Sequence, residues 1–273
     1  MKRFSLCFLF SAILFVGSVE NTSITYVTSY LPKGVIMTTS DIHKESINVL
    51  KPLIFIFNEK NTHNLSGIIN EYLKKQITNV FIVEYTLNEE TTKAANKVVN
   101  EVAEFIATIF NKTGEEYLNI HLVGIASGSR VAFAVAQRLP ELTKRKVNRL
   151  TSLEPTYSLI NNEKGGPNAE ILSKNVNFVD TVHSNFNENE TRLGDVNFYL
   201  YKKDCVHDKS LSKNSTLSLE TFVKSINSNN LKALECDSIE NLENGNCLSK
   251  KKIVFGENVP QDAKGSYFLI IKL

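Results

Sequence analysis

Apolar residues in this chain gather in short runs separated by longer stretches in which they recur at helical spacing. Leu53–Phe57, Val80–Tyr85, Ile120–Val123 and Leu150–Leu153 are compact runs rich in β-branched and aromatic residues. Between the second and third, Ala94, Val98, Val102, Phe105, Ile106 and Ile109 return every three or four positions from about Thr91 to Phe110. That period places them on one face of a helix, and such a stripe belongs against a sheet. Strand-like runs alternating with helices predict βαβ units and a mostly parallel central sheet flanked by helices, an α/β fold. Further strand-like runs follow at Val176–Val182 and Val196–Tyr201, then a helix over Leu217–Ile226. Ile253–Phe255 and Tyr267–Ile271 read as two strands paired with each other around a turn-rich stretch at 256–265. No repeat or low-complexity linker divides the chain, so a single domain is expected over residues 19–273.

The first eighteen residues change the picture of where the protein works. Lys2 and Arg3 precede an apolar run from Phe4 through Val16, closed by the small residues Gly17 and Ser18. This is the pattern of a secretory signal peptide, too short to span a bilayer comfortably, and no later stretch offers a transmembrane anchor. Its removal reduces the 31 basic residues by two, to parity with the 29 acidic ones. With no basic run beyond Lys250-Lys251-Lys252, a nucleic-acid partner is not expected. Cys7 leaves with the leader, so three cysteines remain. Cys236 and Cys247 lie close in sequence and are the favoured disulfide in an oxidising compartment, which leaves Cys205 free or bonded to another chain. Glycosylation triplets begin at Asn21, Asn64, Asn111, Asn189 and Asn214 and suit a secreted surface.

The chemistry concentrates in Ile120–Arg130, a strand running into a helix that opens with small residues, where Gly124 and Gly128 lie four apart with Ala126 midway. In an α/β-hydrolase this context holds the nucleophile elbow, a serine forced into a tight turn between two glycines. Glycines at this spacing also arise from close helix–strand packing, so the remaining motifs decide the matter. They are Leu153-Glu154-Pro155-Thr156 at the end of one strand, Phe178-Val179-Asp180-Thr181-Val182-His183, Leu193-Gly194-Asp195-Val196-Asn197-Phe198-Tyr199, and Cys205-Val206-His207-Asp208-Lys209-Ser210. Cys236-Asp237-Ser238, Gly245-Asn246-Cys247 and Phe255-Gly256-Glu257 complete the series. In order and spacing, from roughly Ile24 to Leu273, they resemble the pancreatic-lipase-like neutral lipase and phospholipase A1 family, insect type. The resemblance implies an α/β-hydrolase fold without a C-terminal PLAT-type domain.

It also implies a degenerate catalytic triad, with Ala126 at the nucleophile position, Glu154 at the acid and His207 at the base. A methyl group cannot attack a carbonyl, and loss of the nucleophile costs on the order of a million-fold in rate. Members of the family follow their first central strand with His-Gly-Trp, which helps build the oxyanion hole, whereas here Phe57 is followed by Asn58-Glu59-Lys60. A glutamate there opposes a developing negative charge. The connection between His183 and Cys205, where the enzymes carry a lid, is short and lacks the cysteine that would partner Cys205. The expected ligand-binding residues are Phe57, Asn58, Ala126, Ser127 and His207, facing a lipid or another apolar small molecule where the acyl pocket of the enzymes lies. His121 and His183 read as interior structural histidines. No metal or cofactor is called for, because the histidines lack carboxylates or cysteines at ligand spacing. The leading expectation is a secreted, catalytically inactive lipase-like protein serving as a binding, storage or interaction scaffold. The alternatives are a carboxylic-ester hydrolase that uses a displaced Ser127 with His207 and Glu154, and a protein that engages another secreted protein through its glycosylated surface.

Overall fold

Runs that are apolar at every position become strands buried on both faces. The computed structural model describes residues 22–44, 47–75, 79–86, 91–113, 118–155, 174–184, 192–202, 215–247 and 251–271, and statements below refer to these. The strands are β1 (Ser23–Thr28), β2 (Leu31–Met37), β3 (Leu53–Glu59), β4 (Asn79–Tyr85), β5 (Ile120–Ile125), β6 (Val147–Leu153), β7 (Val176–His183), β8 (Val196–Lys202), β9 (Lys232–Glu235), β10 (Lys252–Val254) and β11 (Gly265–Ile271). They form one sheet in the order β10-β9-β11-β8-β7-β6-β5-β3-β4-β1-β2. The stretch from β11 through β8, β7, β6, β5 and β3 to β4 is parallel throughout. The flanks close in antiparallel pairs, β1 and β2 at one edge and β9 and β10 at the other.

Helices cover both faces, as a parallel sheet requires. Along β3, Phe55 and Phe57 point into one core with α2 (Thr91–Thr113) and α3 (Ser127–Thr143), while Ile54 and Ile56 point into the other with α1 (Ser66–Lys74) and α4 (Ser215–Ser225). The stripe expected on α2 behaves as its period demands: Val98, Val102, Phe105, Ile106 and Ile109 are buried. Phe105 meets the rings of Phe55 and Phe81 edge-on, with centroids 6.5 and 5.7 Å apart.

One expectation is corrected. Ile253–Phe255 and Tyr267–Ile271 do not pair with each other, because β9 lies between them, with Ile253 opposite Ala233 and Phe268 opposite Leu234. The sequence of β9, Lys-Ala-Leu-Glu, puts two charges in four residues and gives no apolar alternation to read. Cys236 and Cys247 are disulfide-bonded and, flanking the short helix α5 (Ile239–Glu243), pack against Tyr199 and Phe268.

A buried ionic network bolts the parallel strands to the C-terminal segment. The Arg149 guanidinium on β6 donates to both carboxylate oxygens of Asp180 on β7, at 2.8 and 2.9 Å, and to the carbonyls of Gly256 and Glu257 at 3.0 and 2.6 Å. Thr151 donates to Asp180 at 2.8 Å, and the Tyr72 hydroxyl donates to Glu257 at 2.8 Å. Burial opposes the Arg149 charge, yet Asp180 and Glu257 together hold it above its ordinary pKa. Burial also pushes Glu257 up, partly offset by Arg149, and pushes His121 well below the histidine range, with Arg149 adding to the effect. His121 is thus a neutral interior residue whose Nε2 lies 2.8 Å from the Thr151 hydroxyl.

Candidate functional site

The central strands β3, β4, β5, β6 and β7 end together, and the crevice outside the carboxyl ends of such strands is where α/β sheets bind ligands. At the middle of this row β5 turns into α3 through Ala126, whose φ of +48° and ψ of −115° lie where L-residues are strained. The turn is pinned on both sides, for Ala126 N–H donates to the Leu153 carbonyl at 2.9 Å and Ser129 N–H to the Ala126 carbonyl at 3.1 Å. The two glycines are steric necessities. A Cβ on Gly124 would fall 2.3 Å from the Ser129 Cα, and one on Gly128 would fall 2.2 Å from the Phe57 carbonyl oxygen. The backbone therefore has the tight strand–turn–helix form that exposes a nucleophile in a hydrolase, and it presents a methyl group.

On the β6 side of the elbow, Glu154 follows the strand with a positive φ of +53° and is buried. Its Oε2 accepts from the Ser184 N–H at 2.5 Å and from the Ser218 hydroxyl at 3.0 Å. Both donors come from neighbouring elements, the end of β7 and α4, and they fix the carboxylate in place. His207 and Cys205 lie outside the described residues, as do Asn21, Asn189, Asn214 and the leader.

On the β3 side the surroundings differ. Ser127 donates its hydroxyl to Glu59 Oε2 at 2.8 Å, so it is turned toward the strand end opposite Glu154. Tyr85, at the end of β4, is fully buried, and its hydroxyl lies beside the Ser127 hydroxyl, its side-chain hydrogen-bond neighbour, and near Glu59. Burial pushes that phenol well above its ordinary pKa; Ser127 works against the shift and the Glu59 charge adds to it.

Two of the expected ligand-facing residues have fully buried side chains. The Phe57 ring is fully buried in the core on the α2 and α3 side. Asn58 is also fully buried and organises the loop after β3: its Oδ1 accepts from Thr62 at 3.0 Å and lies 3.1 Å from His63 Nδ1. Alternation along a strand explains both, since a residue in the last turn of a parallel strand still has a helical layer above or below it. Ala126 and Ser127 are partly exposed, as is Glu59. His183 is buried, stacks on Tyr199 with centroids 5.1 Å apart and lies 3.2 Å from the Thr181 hydroxyl. Among the described residues no three His, Cys, Asp or Glu side chains gather to hold a metal ion, and no helix is long and apolar enough to cross a membrane. Asn64 and Asn111 are exposed, although Asn64 Oδ1 accepts from Ser66 N–H and hydroxyl at 2.9 and 2.7 Å.

Sequence reasoning placed Glu59 near the oxyanion position but missed its link to Ser127, the Tyr85 hydroxyl, and the Ser184 and Ser218 donors to Glu154. A tyrosine closing an apolar run is the one local signal for a polar tip at a strand end, and spacing does not say what that tip meets.

The chain is similar to lipase member H of Rattus norvegicus, 25% identical over 227 residues, covering 75% of this chain and 49% of that protein. It is also similar to lipoprotein lipase of Rattus norvegicus, 26% identical over 221 residues, covering 66% and 44%. It thus spans about half the length of these relatives. Among solved structures it is similar to carboxyl esterase 2 of Tuber melanosporum, at 14% identity and a TM-score of 0.38 over 50% of this chain and 59% of that one. Another likeness is to MGS-M1, an α/β-hydrolase enzyme from a deep-sea metagenome, at 14% identity and a TM-score of 0.33 over 78% and 74%. Residues 30–199, which hold the elbow, Glu154 and most of the parallel sheet, match the family model for Lipase. The chain belongs to the lipase family and has its α/β-hydrolase fold.

Proposed function

We propose that this protein is a secreted lipase-family scaffold that has given up ester hydrolysis and binds a lipid or other apolar molecule at the strand-end crevice. The observation that carries the reading is the elbow at Ala126, which keeps the strained backbone of a nucleophile turn and offers only a methyl group. Glu59 at the adjacent strand end supports it, because an acceptor stands where an acyl-transfer site needs donors. Ser127 is a poor substitute nucleophile, since its hydroxyl is committed to Glu59 on the side of the elbow away from Glu154. Secretion rests on the Met1–Ser18 pattern, and glycosylation on the triplets at Asn64, Asn111, Asn189 and Asn214. Neither a metal nor a cofactor enters this reading.

The test is hydrolysis of p-nitrophenyl esters and phospholipid by the purified secreted protein, beside Ala126→Ser and His207→Ala variants. The expected result is no turnover by the native protein, and little by Ala126→Ser because Glu59 still opposes the oxyanion. Native turnover that is lost in His207→Ala and Ser127→Ala would refute the scaffold reading and assign the chemistry to Ser127.

A further inference from the structure

We propose that the β1–β2 hairpin, at the end of the sheet opposite the crevice, docks the protein on a phospholipid surface that carries anionic head groups. The inference goes beyond the crevice reading above and does not depend on it.

Apolar side chains left in water are concentrated at this place. Of the six large hydrophobic side chains that stand exposed among the described residues, those of Tyr30, Leu31, Val35 and Ile36 belong to the one hairpin, with Tyr30 91% and Ile36 69% exposed. A fifth, Leu50, is 84% exposed in the turn before β3. That turn sits at the same end of the sheet. The Asn79 side-chain amide donates to the Asn48 carbonyl at 2.9 Å, and its Oδ1 accepts from the Tyr26 hydroxyl of β1 at 2.9 Å. Val27 pairs with Val80 at the start of β4, so the turn at Ser29 and Tyr30 lies where the parallel strands begin, and the crevice lies where they end. Exposed apolar residues are ordinary when scattered, whereas a cluster of them marks an interaction site.

The form of the cluster selects the partner. Val35 lies opposite Tyr26 and Ile36 opposite Thr25, so the two point to opposite faces of the ribbon. A protein partner covers one face or one edge. The edge itself is unfit for strand addition: Pro32 has no N–H, Lys33 is exposed, and Pro32, Lys33 and Gly34 together lie across from Val27 alone, with Gly34 at a φ of +70°. A ribbon that is apolar on both faces and at its tip, yet barred from pairing along its edge, suits a medium that surrounds it, as the interfacial zone of a bilayer does. Tyr30 at the tip matches that zone, where the ring is buried and the hydroxyl stays among head groups. The charges agree. Lys33 lies within the ribbon and Lys51 beside Leu50, and a lysine stem follows its apolar neighbours while the ammonium meets an anionic head group. The acids on the flanking elements, Asp41 after β2 and Glu71 on α1, are each paired with a lysine, Lys44 and Lys74. Docking by this end keeps the crevice turned to the water.

Flotation of the intact protein with vesicles of phosphatidylcholine alone, and of phosphatidylcholine with phosphatidylserine, tests this. The native protein is expected to float with the mixed vesicles and more weakly with the neutral ones. Tyr30→Ser combined with Leu50→Ser should weaken partitioning about tenfold or more. Lys33→Gln should weaken it about fivefold on the mixed vesicles and leave the neutral ones unchanged. All three positions are at the surface, and a circular dichroism spectrum equal to the native one separates lost docking from lost folding. The chain has no tryptophan, so Tyr30→Trp makes a single reporter, whose emission should move to the blue on binding and be quenched by lipid spin-labelled in its acyl chains. Absence of flotation, or a Tyr30→Trp emission that does not change when the protein floats, would overturn the proposal. Flotation that the double variant leaves intact would overturn it too, and would assign the lipid contact to the crevice. A native dimer in sedimentation that Ile36→Ser dissolves would overturn it in favour of a second copy of this chain on the ribbon.

Discussion

Replacing Ala126 with glycine is expected to stabilise the folded protein, against the usual direction of that substitution. At an ordinary site alanine is worth about 0.4–1 kcal/mol over glycine, chiefly because it restricts the unfolded chain. At φ +48° and ψ −115° the balance reverses. A side-chain-bearing residue held in such a region costs about 1–3 kcal/mol, and glycine escapes most of that. The difference favours Ala126→Gly by about 1 kcal/mol, which for a chain of this size raises the melting temperature by roughly 2–4 °C. Gly128→Ala is the control of opposite sign. Its new Cβ would lie 2.2 Å from the Phe57 carbonyl oxygen and 2.8 Å from the carbonyl carbon, backbone atoms that cannot rotate away. Overpacking of that kind costs at least about 1–3 kcal/mol. Calorimetric melting of native protein and the two variants gives the answer. If Ala126→Gly melts below the native protein, the elbow is not strained and the argument that its backbone is a retained nucleophile turn fails.

Three further outcomes follow from the buried groups. Arg149→Met should lower stability by about 3–5 kcal/mol in urea denaturation, because it leaves the Asp180 carboxylate buried with, among the described residues, the Thr151 hydroxyl as its remaining side-chain donor, and adding Asp180→Leu should restore much of the loss. His121 has a folded pKa well below its ordinary 6.5, so below about pH 6.5 the unfolded chain takes up a proton that the folded chain refuses. Stability should therefore fall with decreasing pH, by up to about 1.4 kcal/mol per pH unit from this residue, and His121→Gln should flatten the slope of urea midpoints between pH 7.5 and 5. Glu257, raised by burial, acts in the opposite sense, so the diagnostic quantity is the difference in slope between native and variant. Replacing Cys236 and Cys247 together by serine should cost about 2–5 kcal/mol, and a reducing agent should lower the melting temperature of the native protein but not of that variant.

Much of the architecture was readable because it rests on local periodicity. The α2 stripe from Val98 to Ile109 and the all-apolar run of β3 each declare their burial within a few turns or residues. The elbow was readable for a related reason, since Gly124 and Gly128 are imposed by backbone contacts that permit no side chain. The polar corner was not. Ser127 and Glu59 are 68 residues apart, and nothing in either local sequence says that the serine turns toward β3 instead of toward Glu154. Strand β9 was missed because its pairing with β11 and β10 comes from its neighbours, while its own charged ends give no pattern. The full burial of Phe57 and Asn58 was not legible either, for want of the helical layers that cover the strand end.

The ties of Arg149 set a timetable for folding. Its guanidinium pairs with Asp180 on the adjacent strand, but two of its donors wait for the carbonyls of Gly256 and Glu257, 107 and 108 residues further along. At ribosomal speeds that gap is roughly 5–20 s, during which a charge destined for the interior has only part of its final company. Strand β11, the last of the described strands, must then enter between β8 and β9 before the sheet is continuous. Closure of this core thus waits for the segment that carries residues 256 to 271, and a chain cut short before residue 256 would keep the elbow's sequence while lacking the means to bury what lies beneath it.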